Sequence, residues 1–478
     1  MREEQDFLGK KEVPDEALYG IHSLRAQENF PNHTAFHKEW FSAIGKVKLA
    51  CYISYQSFKN LALKEYSKHE LPFVFMEDSV IFALIEAAKE IAEGKHFKHF
   101  IIPAIQGGAG TSINLNINEI IANLALSKIG EKPGTYSKID PIEQANIYQS
   151  TNDVIPTALK LALMYLLKDL ENAINKSRKA TEVLEIKYSS TPRLAYTQLQ
   201  EAVPTTYGRL FSTYSDALSR DWWRVSKSWE RIKVVNLGGG AIGSGFSIPR
   251  FFIMNVVQKL KEISGLPISR GENPNDITSN LDSFVEVSAI MKAHAVNLEK
   301  MVNDLRLLAA DISKTHLSIP QKQVGSSIMP SKVNPVIPEF IISICHHVYA
   351  QDQLVTSLAS RSDLELNAYL PSIGHALIES LKLLIEANNS LEKNLLSDIK
   401  IDQESSLEDF YKSPAISTIL SPLIGYHKAA DLAKMMKEKK ISVLKANRKL
   451  KYIEEEKLLN LLKPEKLSQQ GFSIKELL

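Results

Sequence analysis

The sequence predicts an all-α protein organised around a bundle of long helices. Five stretches, 151–184, 204–232, 281–310, 335–359 and 367–395, carry apolar residues at helical spacing, each over 25 residues or more. Short glycine-containing breaks separate them, and the two-residue alternation of strands is scarce. At 478 residues the chain exceeds one ordinary hydrophobic core, so two or three domains are expected.

Taken in order, the first 150 residues mix short periodic segments with turn signals such as PDEALYG and IQGGAG. The first long pattern opens with the cap-type side chains Thr151, Asn152 and Asp153, and repeats its apolar stripe through Ile155, Leu159, Leu163, Leu166 and Leu170. In 281–310, Leu281, Val285, Ala289, Ala293, Leu298, Met301 and Leu305 lie near one stripe. The last 75 residues form shorter helical patterns with lysine-rich faces, such as KMMKEKKISVLKANRKLK, read as a solvated surface. This texture divides the chain into an N-terminal domain, 1–149, a central long-helix domain, 150–402, and a small C-terminal helical domain, 403–478. Apolar stripes of this length also suggest packing against identical helices, hence a homo-oligomer.

Composition excludes several function classes. Apolar residues make up 44% and charged residues 23%, as in a globular soluble protein. The net charge of +2 on 57 basic and 55 acidic residues is nearly neutral and no basic block stands out, so nucleic acid is not an expected partner. Cys51 and Cys345 are the chain's two cysteines, which fits a reducing cytoplasm rather than a disulfide framework. The opening MREEQDFLGK lacks an apolar h-region and no run of about 18 apolar residues occurs, so neither a secretory signal nor a membrane span is expected. No cluster of histidines with Asp or Glu stands out in the sequence, so no metal ligand set is assigned.

Three loops concentrate small hydroxyl side chains: QGGAGTS at 106–112, QSTND at 149–153 and GSSIMP at 325–330. The first two run into helical patterns, where unpaired N–H groups and added hydroxyl donors suit a carboxylate. One such loop alone reads as a helix cap; three together point to anion recognition. Two nucleotide readings fail. GGAGTS has no lysine before its threonine, so it is no phosphate loop, and GGGAIG at 238–243 lacks the second strand a dinucleotide site needs. TQLQEAVPTTYG at 197–208 places Thr197 and Gln198 in a turn before a proline-initiated helix.

The stretch GSSIMPSKVNP, 325–335, resembles the signature loop of the aspartase/fumarase superfamily, whose usual form is G-S-S-x-M-P-x-K-x-N-P. The resemblance runs nearly end to end, through GKKEVPDEALYGIHSLRAQENF, QGGAGTSINLNINEIIANLAL, QSTND, TQLQEAVP, VNLGGGAIGSG, NDLRLL, LELN and LSPLIGYHKAADLAK in family order. Details are similar to the aspartate ammonia-lyase branch. Tyr19, Gly20, Ile21 and His22 stand where fumarases show Trp-Gly-Ala-Gln, and Gln198 stands where they carry a histidine.

This resemblance implies an all-α homotetramer of three-domain chains, five long helices from each building a twenty-helix core, with active sites shared between subunits. It implies reversible anti elimination of ammonia from L-aspartate to fumarate, without an organic cofactor; divalent-cation activation is not readable. Ser326 matches the catalytic base. Thr111, Ser150, Thr151 and Ser327 match donors to the β-carboxylate, Lys332 and Asn334 hold the α-carboxylate, and Asn152, Thr197 and Gln198 surround the leaving amino group. Alternatives kept open are a fumarate hydratase, another amino-dicarboxylate carbon–nitrogen lyase, and a non-catalytic scaffold relative.

The chain departs from the family beside its active loop. AADISKTHLSIPQKQV, 309–324, is about two residues shorter than usual, and His316 falls where a glutamate is expected. Ala195 and Tyr196 replace the usual Gly-Arg before Thr197. These changes bear on how the loop is anchored and on the exact substrate.

Overall fold

The computed structural model describes residues 1–67, 69–313 and 315–477, which include all of the altered segment except Lys314. The fold is all-α. The five long patterns become the helices Thr151–Lys187, Tyr207–Ile232, Asp282–Leu308, Val336–Ala359 and Leu370–Ser390. The last is continued by a π-helical turn, Leu391–Leu395. Strand pairing among the described residues is confined to four two-stranded sheets.

The chain divides into two compact units. The first comprises Met1–Leu170, Arg224–Lys292 and His347–Leu383, and the second Glu171–Trp223, Ala293–His346 and Leu384–Leu478. In the first unit the helix Lys38–Glu65 buries Trp40, Phe41, Ile44 and Val47. The helices Asp78–Ala92 and Thr111–Lys128 add Ile81, Leu84, Ile113, Ile117 and Ile120 to the core. The Trp40 indole also donates to the carbonyl of Ile155 at 3.3 Å, so the apolar face of the Thr151 helix is fixed by a hydrogen bond as well as by packing.

A hairpin, Arg2–Asp6 with Gly9–Val13, starts this unit and delivers the buried Glu4 to the helix Ile21–Asn29. That helix has no side-chain cap of its own. Instead Glu4 accepts from the Ile21 N–H at 2.8 Å, and Glu119 accepts from the N–H groups of Gly20, His22 and Ser23. Two carboxylates at a helix N-terminus satisfy its orphan donors and favour the dipole.

In the second unit the short C-terminal helices close over Phe410, Ile416, Leu420, Leu432, Met436, Val443 and Leu458. Lys437, Lys439, Lys440, Lys445 and Lys449 point to solvent, as the charge run suggested. A buried polar network crosses this unit. Nδ1 of His294 pairs with Asp221 at 2.9 Å, and the Asn388 amide meets His294 Nε2 at 2.8 Å.

One expectation needs correction. The helix read as starting at Pro204 begins at Tyr207, and Pro204 lies within the strand Gln200–Thr206, paired with Pro192–Thr197. Register places Pro204 opposite Leu194 in a two-stranded ribbon, where a residue without an N–H is tolerated. Thr197 and Gln200 close the hairpin, and its two-residue tip, Gln198 and Leu199, holds φ of 52° and 61°. That is the conformation of a tight hairpin turn usually filled by Asn-Gly. Leu199→Gly is therefore expected to stabilise the second unit by roughly 0.5–1 kcal/mol, read from urea unfolding; a loss of stability would mean that the exposed leucine has a packing role.

Candidate active site

In the first unit, QGGAGTS leads into the 18-residue helix Thr111–Lys128 through a run of left-handed backbone, with φ of 82°, 57° and 93° at Gly108, Ala109 and Gly110. The sharp turn is held from outside, because the Ala109 N–H donates to the carbonyl of Ala368 at 3.1 Å. Ala368 follows the buried Asn367, whose amide donates to Leu358 O and Ser362 Oγ. Thr111 is left exposed at the start of its helix.

QSTND opens the Thr151 helix as a reciprocal cap. The Ser150 Oγ accepts from the Asn152 N–H at 3.2 Å, while the Ser150 N–H donates to Asp153 Oδ1 at 3.0 Å. The other carboxylate oxygen of Asp153 accepts from the N–H groups of Gly238 and Gly240, at 3.1 and 3.0 Å. GGGAIG thus serves as a collar around the helix start. Burial pushes the fully enclosed Asp153 carboxyl up to about 6, against these three N–H donors.

The same collar positions Asn152, whose amide Nδ2 donates to the carbonyl of Ala241 at 2.8 Å. This bond fixes the Asn152 side chain at the start of its helix. QGGAGTS and QSTND also abut: a Cβ on Gly110 would sit 3.1 Å from the Ile155 side chain, one turn into the Thr151 helix. Thr111, Ser150, Thr151 and Asn152 therefore belong to one locality of the first unit.

In the second unit the signature loop folds on itself. The Gly325 N–H donates to Lys332 O and the Asn334 amide to Gly325 O, both at 2.8 Å, closing a neck beneath the loop. Within it, Ser326 Oγ accepts from the N–H groups of Ile328 at 3.2 Å and Met329 at 2.9 Å. Hydrogen bonds to an oxygen stabilise its ionised form most, so this serine is better placed than an ordinary one to exist as an alkoxide. Ser327 and Lys332 are exposed. Among the described residues no hydrogen bond joins Lys332 Nζ to Ser326, and the donors to its Oγ are these two backbone N–H groups.

The neck requires glycine, because a Cβ on Gly325 would lie 2.7 Å from Lys332 O and 2.8 Å from Asn334 N. Gly325→Ala is expected to open the neck and lower kcat at least about tenfold while leaving the thermal transition nearly unchanged. Unaltered kinetics would show that the neck does not set the position of Ser326.

The altered approach to this loop has its own anchors. Leu317–Ser318 pairs with Lys400–Ile401, the Asp402 N–H donates to His316 O, and His316 Nε2 meets Asp409 at 2.9 Å. His316, standing where a glutamate was expected, thereby ties the segment to the helix Gln403–Lys412. Thr197 and Gln198 lie exposed at the hairpin tip, and no hydrogen bond links them to the signature loop among the described residues.

The lyase family model matches residues 9–350 and the fumarase C C-terminus model matches residues 416–469. The chain is 35% identical to aspartate ammonia-lyase of Bacillus subtilis (strain 168), covering 100% of this chain and 98% of that one. It is 36% identical to aspartate ammonia-lyase of Escherichia coli (strain K12), covering 92% and 90%. The chain belongs to the aspartase/fumarase superfamily. It is a lyase. Among solved structures, fumarate lyase:delta crystallin from Brucella melitensis bound to cobalt superposes with a TM-score of 0.90 at 32% identity, over 98% of this chain and 100% of that one. Recombinant class II fumarase from Schistosoma mansoni shares the fold, with a TM-score of 0.85 at 23% identity over 97% and 98%.

The residues that support these hydroxyl-rich loops leave weaker marks in the sequence than the loops themselves. Asp153 was read as a cap-type residue, although Ser-x-x-Asp ahead of an apolar run is the signal of a reciprocal cap. Asn114 and Asn118, one turn apart on the Thr111 helix, and the buried Lys48 facing them carried no spacing that distinguishes them from surface polar residues.

Proposed function

We propose that this superfamily member is an aspartate ammonia-lyase, eliminating ammonia from L-aspartate to give fumarate, reversibly and with anti geometry. The observation that carries the proposal is Ser326, whose Oγ accepts two loop N–H groups at 2.9 and 3.2 Å within the signature loop. The difficult step is removal of a proton from the carbon beside the β-carboxylate. Charge then spreads onto that carboxylate as an aci-carboxylate dianion, and the enzyme must stabilise it as it forms.

Ser326 acts as the base. Thr111, Ser150, Thr151 and Ser327 donate to the developing dianion, since hydroxyls donate without a rival negative charge. Asn152 and Thr197 with Gln198 receive the amino group. Gln198 does not titrate, and a departing ammonia already carries its proton, so no general acid is required there. Lys332 holds the α-carboxylate, while Asn334, in the conformation described, closes the loop neck beside it.

We read the chain as three domains, 1–149, 150–402 and 403–478, functioning in the cytoplasm as a homotetramer whose sites are shared between subunits and need no organic cofactor. Exposed apolar side chains on the long helices, Val296, Leu307, Phe340 and Leu354, support burial against other copies. Light scattering on the purified protein should give four times the 53.6 kDa chain mass.

Fumarate absorbance, followed first with L-aspartate and then with malate, tests the activity. Activity on malate alone would replace the ammonia-lyase by a hydratase, and inactivity on every amino-dicarboxylate would favour a scaffold role. Lys332→Ala should raise KM at least about tenfold with a smaller change in kcat, because one charge-assisted contact to a carboxylate is lost; an unchanged KM removes its carboxylate role.

A further inference from the structure

We propose that Lys48 is the buried positioning residue of the first unit's anion site, holding the Thr111 and Ser150 donor loops in register and placing a positive charge behind them. The inference rests on the carboxylate role given to those loops under the proposed function. Lys48 lies in the helix Lys38–Glu65 and is completely enclosed. Its Nζ donates to Asn114 Oδ1 at 2.7 Å, Asn118 Oδ1 at 2.5 Å and Asn146 Oδ1 at 3.4 Å.

Each acceptor reaches a donor loop. Asn114 and Asn118 project from the helix that begins at Thr111, the first of them one turn in. Asn146 leads into QSTND: its Nδ2 donates to the Gln149 carbonyl at 3.2 Å, and the Gln149 N–H donates to the Asn146 carbonyl. The amides of Asn114 and Asn118 in turn donate to Asn146 Oδ1, at 3.0 and 3.2 Å. All three amide oxygens face the amine, and the ammonium form has a donor for each of them. A neutral amine has two, and leaves one buried oxygen facing a lone pair.

The ammonium has no carboxylate among its hydrogen-bond partners. On its own helix it faces Cys51 and the neighbouring Tyr52, whose hydroxyl donates to Ala145 O. From the Thr111 helix and the 145–149 segment it meets neutral amides. From the Thr151 helix it feels Asp153, whose oxygens are taken by the N–H groups of Ser150, Gly238 and Gly240. A buried cation left so weakly compensated favours arrival of an anion at the adjoining donors. Burial holds Lys48 down at about 7, so its charge is marginal at neutral pH.

The sign follows directly. Lys48 is charged below about 7, and a dianion at the loops raises its pKa, so binding draws in a proton above that pH. Titration calorimetry of the intact protein with fumarate, in ammonium-free buffers of contrasting ionisation enthalpy between pH 7 and 8.5, should show proton uptake. Affinity should fall by up to about tenfold per pH unit across that range. Asp153 takes up protons nearer pH 6 and fumarate carries none here, so neither imitates the effect.

Lys48→Met should weaken fumarate binding and flatten the pH profile, a change that mere loss of packing does not produce. Fumarate binding without proton uptake in the wild-type protein overturns the inference while leaving the lyase reading intact, as does a Lys48→Met variant with the wild-type slope. Where that variant does not fold, Lys48→Arg, which stays charged across this range, should bind fumarate without the proton uptake, and uptake equal to wild type in that variant overturns the inference. Failure of fumarate to bind at any pH removes the lyase reading, and this inference with it.

Discussion

Ser326→Ala is expected to lower kcat on L-aspartate by about a thousandfold, the range in which a positioned general base contributes. The argument is local. Ser326 Oγ is the acceptor for the Ile328 and Met329 N–H groups, and these stabilise negative charge on that oxygen. In the proposed mechanism an alanine removes the base, and Ser327 does not replace it, because its Oγ has no such pair of donors among the described residues. The cost to folding is small, since both N–H groups sit in an exposed loop where water replaces the serine. The neck through Gly325, Lys332 and Asn334 does not involve the hydroxyl. Steady-state rates with an unfolding curve beside them decide the matter; near-normal turnover in a folded variant eliminates Ser326 as the base.

Asp153→Ala should reduce stability by about 3–5 kcal/mol, with kcat/KM lowered roughly a hundredfold. The variant leaves the N–H groups of Ser150, Gly238 and Gly240 buried without their acceptor. It also frees the collar whose Ala241 carbonyl orients Asn152. Burial raises the Asp153 pKa from 3.8 to about 6. Its contribution to stability is therefore complete below pH 3.8 and is lost as pH rises through 6. The variant's deficit should be larger at pH 5 than at pH 7, measured by urea unfolding at both. A deficit independent of pH would mean that the carboxyl titrates normally; no deficit at all would detach the glycine collar from the stability of the site.

The two variants probe opposite kinds of residue. Ser326 sits in an exposed loop and carries little structure, whereas Asp153 is enclosed and acts only through what it holds. The first kind is visible in a sequence because chemistry demands a particular side chain inside a recognisable loop. The second is visible only as a cap, since a carboxylate at that place in a helix start has the same local cause whether or not a distant glycine loop binds its other oxygen. His316 illustrates the same limit. Its position marked a departure from the family, but its tie to Asp409, 93 residues away, follows from how the strand pair 317–318 with 400–401 brings the segments together.

The sequence by itself determined the all-α class, the five long helices to within a few residues, and the superfamily. These depend on apolar periodicity and on side-chain chemistry within short windows, which neighbouring residues suffice to specify. Only the tertiary structure decided that Pro204 lies in a hairpin, that GGGAIG wraps a helix start, that backbone N–H groups attend Ser326, and that Lys48 faces three amide oxygens. Each of these depends on partners up to 98 residues distant or on backbone groups common to every residue. Hydrogen bonds of that kind leave no pattern in composition or spacing, because the same residues satisfied by water would read identically.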